Sequence, residues 1–345
     1  MRIVLDAMGS DHAPGVDVRG AVRAARRFGQ EIVLVGREEA IQAELAGLDT
    51  EGLALSVVHA SEVVEMGEHP AQAVRAKKDA SIVVGMRLLR EGQADALVSA
   101  GNSGGVLAAA LVGAGRIGRI QGVHRPAIST VLPNREGGWA FMLDIGANAD
   151  CRPEWLAQFA LMGATYAERV LGIPNPRVGL LSNGEEKIKG NQLVQDTHAL
   201  LDRLSLGLNL VGNVEGKDIT QGLADVIVSD GFTGNIAIKT AEGTAAMLLS
   251  LLRSEIKSRK LAMLGALLAR PAFRAVAARL DYREFGGGAL LGVNHPVVIA
   301  HGRSDELAIE NAIGVAIAAV QAHVIEHIRE RMADWRDETG ASETE

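Results

Sequence analysis

Ser99-Ala-Gly-Asn-Ser-Gly-Gly105 is the stretch that decides the fold. Asp95-Ala-Leu-Val98 before it is a short apolar run of strand character, and Val106-Leu-Ala-Ala-Ala-Leu-Val112 after it reads as a buried helix. A strand, a polar glycine-rich turn and then a helix is the arrangement that makes an anion site. Glycines let the backbone approach a ligand closely. The unpaired N–H groups at the helix start point at it, and the helix dipole favours negative charge there. Asn102 and Ser103 add donors, and either also suits an N-cap. A capped helix start without a ligand would use the same residues. What favours a ligand is that the same design recurs along the chain.

Toward the N-terminus, Arg2-Ile-Val-Leu5 predicts a strand ending in Asp6-Ala-Met-Gly-Ser-Asp11-His12. Pro14 suits a first helical turn, so a helix is expected over about 14–28. Residues 31–35 and 54–58 read as strands, and 70–90 as one or two helices with Lys77 and Lys78 inside. Toward the C-terminus, 127–132 and 139–143 flank Asn134-Arg-Glu-Gly-Gly138 as a hairpin. Further strands are expected at 177–181, 208–211, 225–228 and 296–300, with helices between and a closing helix over 304–332. Gly286-Gly-Gly288 reads as a flexible loop.

Strands alternating with helices predict an α/β fold, here three-layer α/β/α, and the hairpin makes its mostly parallel sheet mixed. In such folds ligands collect outside the carboxyl ends of the strands. Six polar turns, after Leu5, Val98, Leu143, Leu181, Val211 and Val228, are therefore expected on one side of the sheet, lining a single polar cleft. Residues 1–332 are expected to form one catalytic domain with a basic helical excursion at about 245–285, and 333–345 a solvated tail.

Composition excludes several classes. The chain has 345 residues and is 48% hydrophobic, enough for a large core. Aromatics are only 3%, so that core is aliphatic. The single Cys151 rules out an intrachain disulfide framework and fits a reducing cytoplasm. The opening Met-Arg-Ile-Val-Leu-Asp is too soon charged for a signal peptide, and no run of about 18 apolar residues suggests a membrane span. A formal charge of -7 argues against general nucleic-acid binding.

Gly113-Ala-Gly-Arg-Ile-Gly118 matches the dinucleotide fingerprint in letters, but it follows a helix instead of a strand and reads as a helix end and loop. Asp6 suits a backbone-bonding role, whereas Asp11 and His12 are site candidates. Lys187 and Lys189 sit on a turn flanked by Gly184 and Gly190, where a lysine neutralises phosphate or simply meets solvent. Asn191 beyond them suits a helix cap or a ligand donor. In Asp230-Gly-Phe-Thr-Gly-Asn235, Thr233 and Asn235 offer hydrogen bonds at a helix start, and Asp230 can accept a proton or orient a donor. Cys151 has no neighbouring histidine and reads as a small buried residue.

Residues 253–280 stand apart. Arg253, Lys257, Arg259, Lys260, Arg270, Arg274 and Arg279 face the single acid Glu255, with Leu264 and Leu268 among the apolar residues between. Such basic amphipathic helices suit an anionic membrane surface or an acidic protein partner. A helix pair at a subunit interface is the alternative.

With those turns in view, the chain resembles the bacterial phosphate acyltransferase family of phospholipid synthesis. The resemblance runs from Asp6-Ala-Met-Gly-Ser-Asp-His-Ala-Pro14 through Ser99–Gly105, Arg125-Pro126, Asp144-Ile-Gly-Ala-Asn148, Lys189-Gly-Asn191, Gly212-Asn-Val-Glu215 and Asp230–Asn235 to His301-Gly302. The family usually has Gly where Ser10 stands, and Thr-Gly-Ala where Ser103-Gly-Gly105 stands. The resemblance implies a fold related to phosphotransacetylase and the isocitrate dehydrogenase class, a homodimer, no redox cofactor and no metal. It also implies a cytoplasmic enzyme in peripheral contact with the inner face of the cell membrane. There it would serve a membrane glycerol-phosphate acyltransferase.

The implied reaction moves a fatty acyl group from acyl carrier protein to orthophosphate. Orthophosphate is largely ionised at neutral pH and needs no protein nucleophile. Ser99, Gly101, Asn102, Ser103 and Gly104, with Lys189, Asn191 and Asn148, are the expected phosphate and substrate residues. Thr233 and Asn235 are the candidates for the thioester carbonyl, Asp230 for orienting them, and His12 for a general acid. Two other classes compete: a nicotinamide-dependent dehydrogenase on the related fold, and a non-catalytic membrane adaptor using the basic stretch.

Overall fold

The computed structural model describes residues 1–279 and 282–340. Its first part runs β1 (Arg2–Asp6), α1 (Gly15–Phe28), β2 (Glu31–Gly36), α2 (Glu38–Leu45), β3 (Leu55–His59), α3 (Pro70–Ala76), α4 (Ser81–Arg90), β4 (Ala96–Ser99) and α5 (Ser103–Leu111). The hairpin strands β5 (Ala127–Pro133) and β6 (Trp139–Leu143) follow, then α6 (Pro153–Arg169), β7 (Arg177–Ser182), α7 (Gln192–Leu201), β8 (Asn209–Glu215) and β9 (Val226–Val228). Three helices come next, α8 (Gly231–Ser258), α9 (Lys260–Leu268) and α10 (Arg270–Arg279). The chain closes with β10 (Gly288–Leu291), β11 (Val297–Ile299), α11 (Glu306–Gln321) and α12 (Val324–Thr339).

All the strands join one eleven-stranded sheet in the order β3-β2-β1-β4-β11-β10-β5-β6-β9-β7-β8. The first five in that order are parallel, and so are the last four. Between them β10 is antiparallel to both β11 and β5, and β5 to β6. Three reversals leave the two parallel sets pointing in opposite directions. This corrects the expectation of six turns on one side. The turns after β1 and β4 open at one edge of the sheet, and those after β6, β7, β8 and β9 at the other.

Strand residues such as Ile3, Leu5, Ile32, Leu34 and Leu97 are fully buried, because helices cover both faces of a parallel sheet. Ile3, Leu5 and Leu34 pack under α1 and α11, while Val4, Val33 and Leu97 pack under α4 and α5. Phe141, Leu143, Val178 and Val226 pack under α6 and α12.

Four local expectations change. Lys77 and Lys78 lie in the break between α3 and α4. Gly212-Asn-Val-Glu215 is strand, not turn: the register of β7 against β8 skips Val211, which bulges out. Gly286-Gly-Gly288 is not a flexible loop but the tightly packed entry to β10, where a Cβ on Gly288 would lie 1.7 Å from the Ser129 carbonyl oxygen. The solvated tail does not begin at 333, because α12 continues to Thr339 and buries Trp335, which is 1% exposed. Removing so large a buried side chain costs about 3–5 kcal/mol. The expected end of the basic stretch at Leu280, and of the tail over 341–345, lie outside the described residues.

Candidate active site

The opening stretch folds as read. Asn102 is the N-cap of α5, its Oδ1 accepting from the Gly105 N–H at 3.1 Å, and its amide nitrogen donates to the Met66 carbonyl at 3.0 Å. With the cap in place, the N–H groups of exposed Ser103 and of Gly104 find no acceptor among the described residues. Behind the turn, Gly101 N–H donates to Ser99 Oγ at 3.1 Å and Ser99 Oγ donates to Asp6 Oδ2 at 2.8 Å. Ser99 and Asp6 therefore stitch the β4 turn to the β1 turn from inside, and Ser99 is fully buried away from any ligand. Burial pushes the Asp6 carboxyl up, against hydrogen bonds from Ser81, Ser99 and Met8.

Ser10 sits in this same network. Its hydroxyl donates to Asp17 Oδ2 at 2.6 Å, and Asp17 is completely buried. Desolvation raises the Asp17 carboxyl to about 7, with the Asp6 charge adding to it. His12 is exposed on the β1 turn, and its ring makes no hydrogen bond among the described residues.

The second glycine-rich helix start is arranged differently. Asp230 caps α8, accepting from Thr233 N–H and from Thr233 Oγ1, both at 2.8 Å. Gly231 N–H donates to the Asn148 carbonyl at 2.7 Å, and Asn235 Nδ2 donates to the Ile145 carbonyl at 3.0 Å. A Cβ on Gly234 would lie 2.0 Å from the Asp144 carbonyl oxygen, so the loop at 144–148 is pressed onto this helix. Asp144 organises that loop. Its carboxylate accepts from the N–H groups of Ile128, Gly146, Ala147 and Asn148 and from Asn148 Nδ2, at 2.7–3.1 Å. The Asn148 amide also donates to the Pro126 carbonyl at 2.8 Å, so its side chain holds the loop. The α5 start is thus open, whereas the α8 start is covered by its own chain and offers side chains.

Ile145 lies between the two. It packs on the core that holds Val106 and Ala109 of α5 and on the core that holds Ile238 of α8. Further along α8, Glu242 meets Lys239 at 3.0 Å and Arg303 at 3.7 Å. Arg303 follows Gly302, whose carbonyl accepts from Asp11 N–H at 2.8 Å. The helix rises about 16 Å from Gly231 to Glu242, at 1.5 Å per residue, and meets the loop after β11 there. In this way α8 links the loop at 144–148, which Asn235 holds, to the loop after β11, which Arg303 holds. Lys239, Glu242 and Arg303 were missed in the sequence, where each looks like an ordinary surface charge.

The lysine turn separates its two lysines. Lys187 pairs with Asp202 at 3.0 Å, but Lys189 is exposed and has no ion-pair partner among the described residues. Asn191 caps α7, accepting from Val194 N–H at 3.0 Å. A buried pair that sequence reading also missed holds this turn: His198 Nε2 meets Asn213 Oδ1 at 2.7 Å, and Asn213 Nδ2 donates to the Glu186 carbonyl at 2.7 Å.

Burial, then the Asp144 and Asp230 charges, push the Cys151 thiol up to about 12, which disfavours the thiolate a nucleophile needs. Glu185, Glu215 and Asp218 lie close enough to share a cation, with ligand atoms within 4.8 Å of one another, but Lys217 Nζ already pairs with Glu185 at 3.2 Å and with Glu215. The basic excursion is apolar as well as basic. No residue of α9 is buried, and Leu261 and Leu268 are 86% and 80% exposed. Arg259 is tied to Glu255 at 2.9 Å. Among the described residues no single helix is long and apolar enough to cross a membrane. The bent pair α11–α12 passes on length and composition, but its Ile309, Ile313, Ile328 and Trp335 belong to the core.

A family model described as "Fatty acid synthesis protein" matches residues 1–327. The chain belongs to that family. It is 51% identical over 333 residues to a phosphate acyltransferase of Heliobacterium modesticaldum, covering 96% of this chain and 98% of the relative. A phosphate acyltransferase of Dictyoglomus turgidum is 50% identical over 330 residues, covering 96% and 97%. Among solved structures, a phosphotransacetylase from Streptococcus pyogenes superposes with a TM-score of 0.60 at 18% identity, covering 94% of each chain. The expected phosphotransacetylase-type α/β fold is therefore the observed one.

Proposed function

We propose that this chain is an acyltransferase that moves a fatty acyl group from acyl carrier protein to orthophosphate, giving acyl phosphate for phospholipid synthesis. The observation that carries the reading is the α5 start. There the Ser103 and Gly104 N–H groups are left open by the Asn102 cap and held rigid by the buried Asp6–Ser99–Gly101 chain. Orthophosphate binds at this turn, with Lys189 of the turn after β7 supplying charge. Held in line with the thioester carbonyl, its oxygen attacks without a protein nucleophile, and orientation supplies much of the acceleration. Asn235 stands at the α8 start as a donor to the tetrahedral oxyanion, through the amide hydrogen that its bond to Ile145 leaves over, and Thr233 adds a second donor once its hydroxyl turns from Asp230; one such donor is worth about 3 kcal/mol of barrier. The C–S bond then breaks, and the thiolate leaves, taking a proton from His12 or from solvent.

The exposed apolar and basic surface of α8 to α10 supports a homodimer and a peripheral contact with an anionic membrane. Arg253, Lys257, Lys260, Arg270 and Arg274 would meet lipid headgroups there, and Leu264 and Leu268 the acyl boundary. The site of action is then the cytoplasmic face, beside the acyltransferase that consumes acyl phosphate. The chain through the end of α12 at Thr339 acts as one catalytic unit with that surface as its excursion. The test is thioester loss from acyl–acyl carrier protein with and without orthophosphate, trapping acyl phosphate with hydroxylamine. Phosphate-dependent trapping is expected, and its absence with folded protein would overturn the reading.

A further inference from the structure

The glycine-rich run at 113–118 follows α5 and not a strand, and the loop it opens is tightly built. A Cβ on Gly115 would lie 2.3 Å from the Val83 carbonyl oxygen, so the run is pressed against α4. The loop ends at Pro126 at the foot of β5, where it meets the Asn148 amide. Arg119 and Arg125 are exposed on this loop, and Arg152 is exposed just before α6. Trp155 carries two of them: the Arg125 and Arg152 guanidinium carbons lie 5.0 Å and 5.9 Å from its ring centroid. Arg336 of α12 comes from the other side, its Cδ 3.0 Å from where a Gly122 Cβ would stand.

None of these four arginines makes an ion pair among the described residues. The nearby acids Asp150 and Glu154 are exposed and do not pair with them. Elsewhere Arg19, Arg23, Arg27 and Arg177 are all matched to carboxylates. In a chain of net charge -7, an unmatched arginine face is a local reversal of field. Stacking on Trp155 holds two guanidinium groups in place before any partner arrives, so less freedom is lost on binding. The face also borders the 144–148 loop, which packs on both α5 and α8.

We propose that Arg119, Arg125, Arg152 and Arg336 form the docking face for the acidic protein that carries the acyl thioester. The proposal rests on the reading above, in which that donor is acyl carrier protein. A carrier seated here lies beside the 144–148 loop, and its thioester arm reaches the α5 and α8 starts along it. Complementary charge steers the encounter and fixes its register. A second copy of this chain fits the face poorly, because a two-fold contact would set like charges against each other.

The test is the charge-reversed double variant Arg125→Glu/Arg152→Glu, assayed in the full chain. Its KM for acyl–acyl carrier protein is expected to rise about tenfold or more, as it does when rim charges that steer a partner are reversed. Its KM for phosphate, and its rate with an acyl-pantetheine thioester that has no protein to dock, are expected to stay within about twofold, since neither uses the charged face. The wild-type rate with the carrier should fall with added salt, and the variant should lose that dependence. The double variant Arg125→Lys/Arg152→Lys keeps the charge and should restore most of the affinity. An unchanged carrier KM overturns the proposal. So does an equal loss on both thioesters, or a change of oligomeric state by light scattering. Wild-type protein that never turns over the carrier thioester with phosphate overturns the underlying function instead, and does so before any variant is compared.

Discussion

At the scale of single residues, the two lysines of one turn have become different objects. Lys187 is satisfied by Asp202, whereas Lys189 reaches solvent with its charge unmatched. A charge-assisted contact is worth about 1.5–3 kcal/mol, so Lys189→Ala should raise the KM for phosphate about 10- to 100-fold while kcat moves much less. Lys187→Ala should leave both near the wild-type values. Initial rates at varied phosphate check this, and equal effects of the two substitutions would refute it. Asp17 makes a prediction about pH. Folded, burial holds its carboxyl up at about 7; unfolded, it ionises near the ordinary carboxylate value of 3.8. Between those values the unfolded chain is ionised at this position while the folded chain is not. Stability should therefore fall as pH rises through that window, by up to about 4 kcal/mol for some three pK units. Asp17→Asn removes the ionisation and keeps an acceptor for Ser10. Its denaturation midpoint, compared with wild type, should gain at pH 8 and show no such gain at pH 4.

At the scale of elements, caps do much of the placing. Asp230 holds both the N–H and the hydroxyl of Thr233, so Asp230→Ala should cost about 1 kcal/mol of stability, and Asp230→Asn much less. Chemical denaturation of the three proteins measures it. Most elements were legible because their signals are local. Pro14 before an apolar period marked α1, and Asn134 with Gly137 and Gly138 marked the hairpin. The α5 start was read correctly for the same reason, since a cap, two free N–H groups and a glycine turn all lie within a few residues. What misled was glycine whose purpose is distant. Gly288 looks like a loop residue and is a strand residue, because the Ser129 carbonyl 159 positions away leaves no room for a side chain. Trp335 was placed in a tail for a similar reason: the charged residues around it are read locally, and the core it fills is not.

At the scale of the whole molecule, the direction of each strand was the information the sequence did not carry. Gly212–Glu215 was read as a turn and is strand, and β10 was not read at all; with the sheet's three reversals, the turns after β6, β7, β8 and β9 open at the edge opposite to those after β1 and β4. Loops from the two edges are linked all the same, because α8 reaches both, and reach is a property of helix length and packing instead of any motif. The same helix has an unmatched outer surface. Met247, Leu248, Leu251 and Leu252 are 43–57% exposed along it, in a chain whose other long apolar helices are buried. Four apolar side chains on successive turns are a seam that water disfavours, at roughly 25 cal/mol for each Å² that a partner would cover. A two-fold contact along this seam would give a homodimer and leave the exposed leucines of α9 free for a membrane. Leu248→Glu/Leu251→Glu should then give a monomer by sedimentation or light scattering at micromolar concentration, where wild type is expected to be a dimer. Leu264→Glu/Leu268→Glu should leave the dimer intact and abolish cosedimentation with anionic vesicles. If the α9 substitutions dissociate the dimer, or the α8 substitutions release only the vesicles, the two surfaces have been assigned the wrong way round.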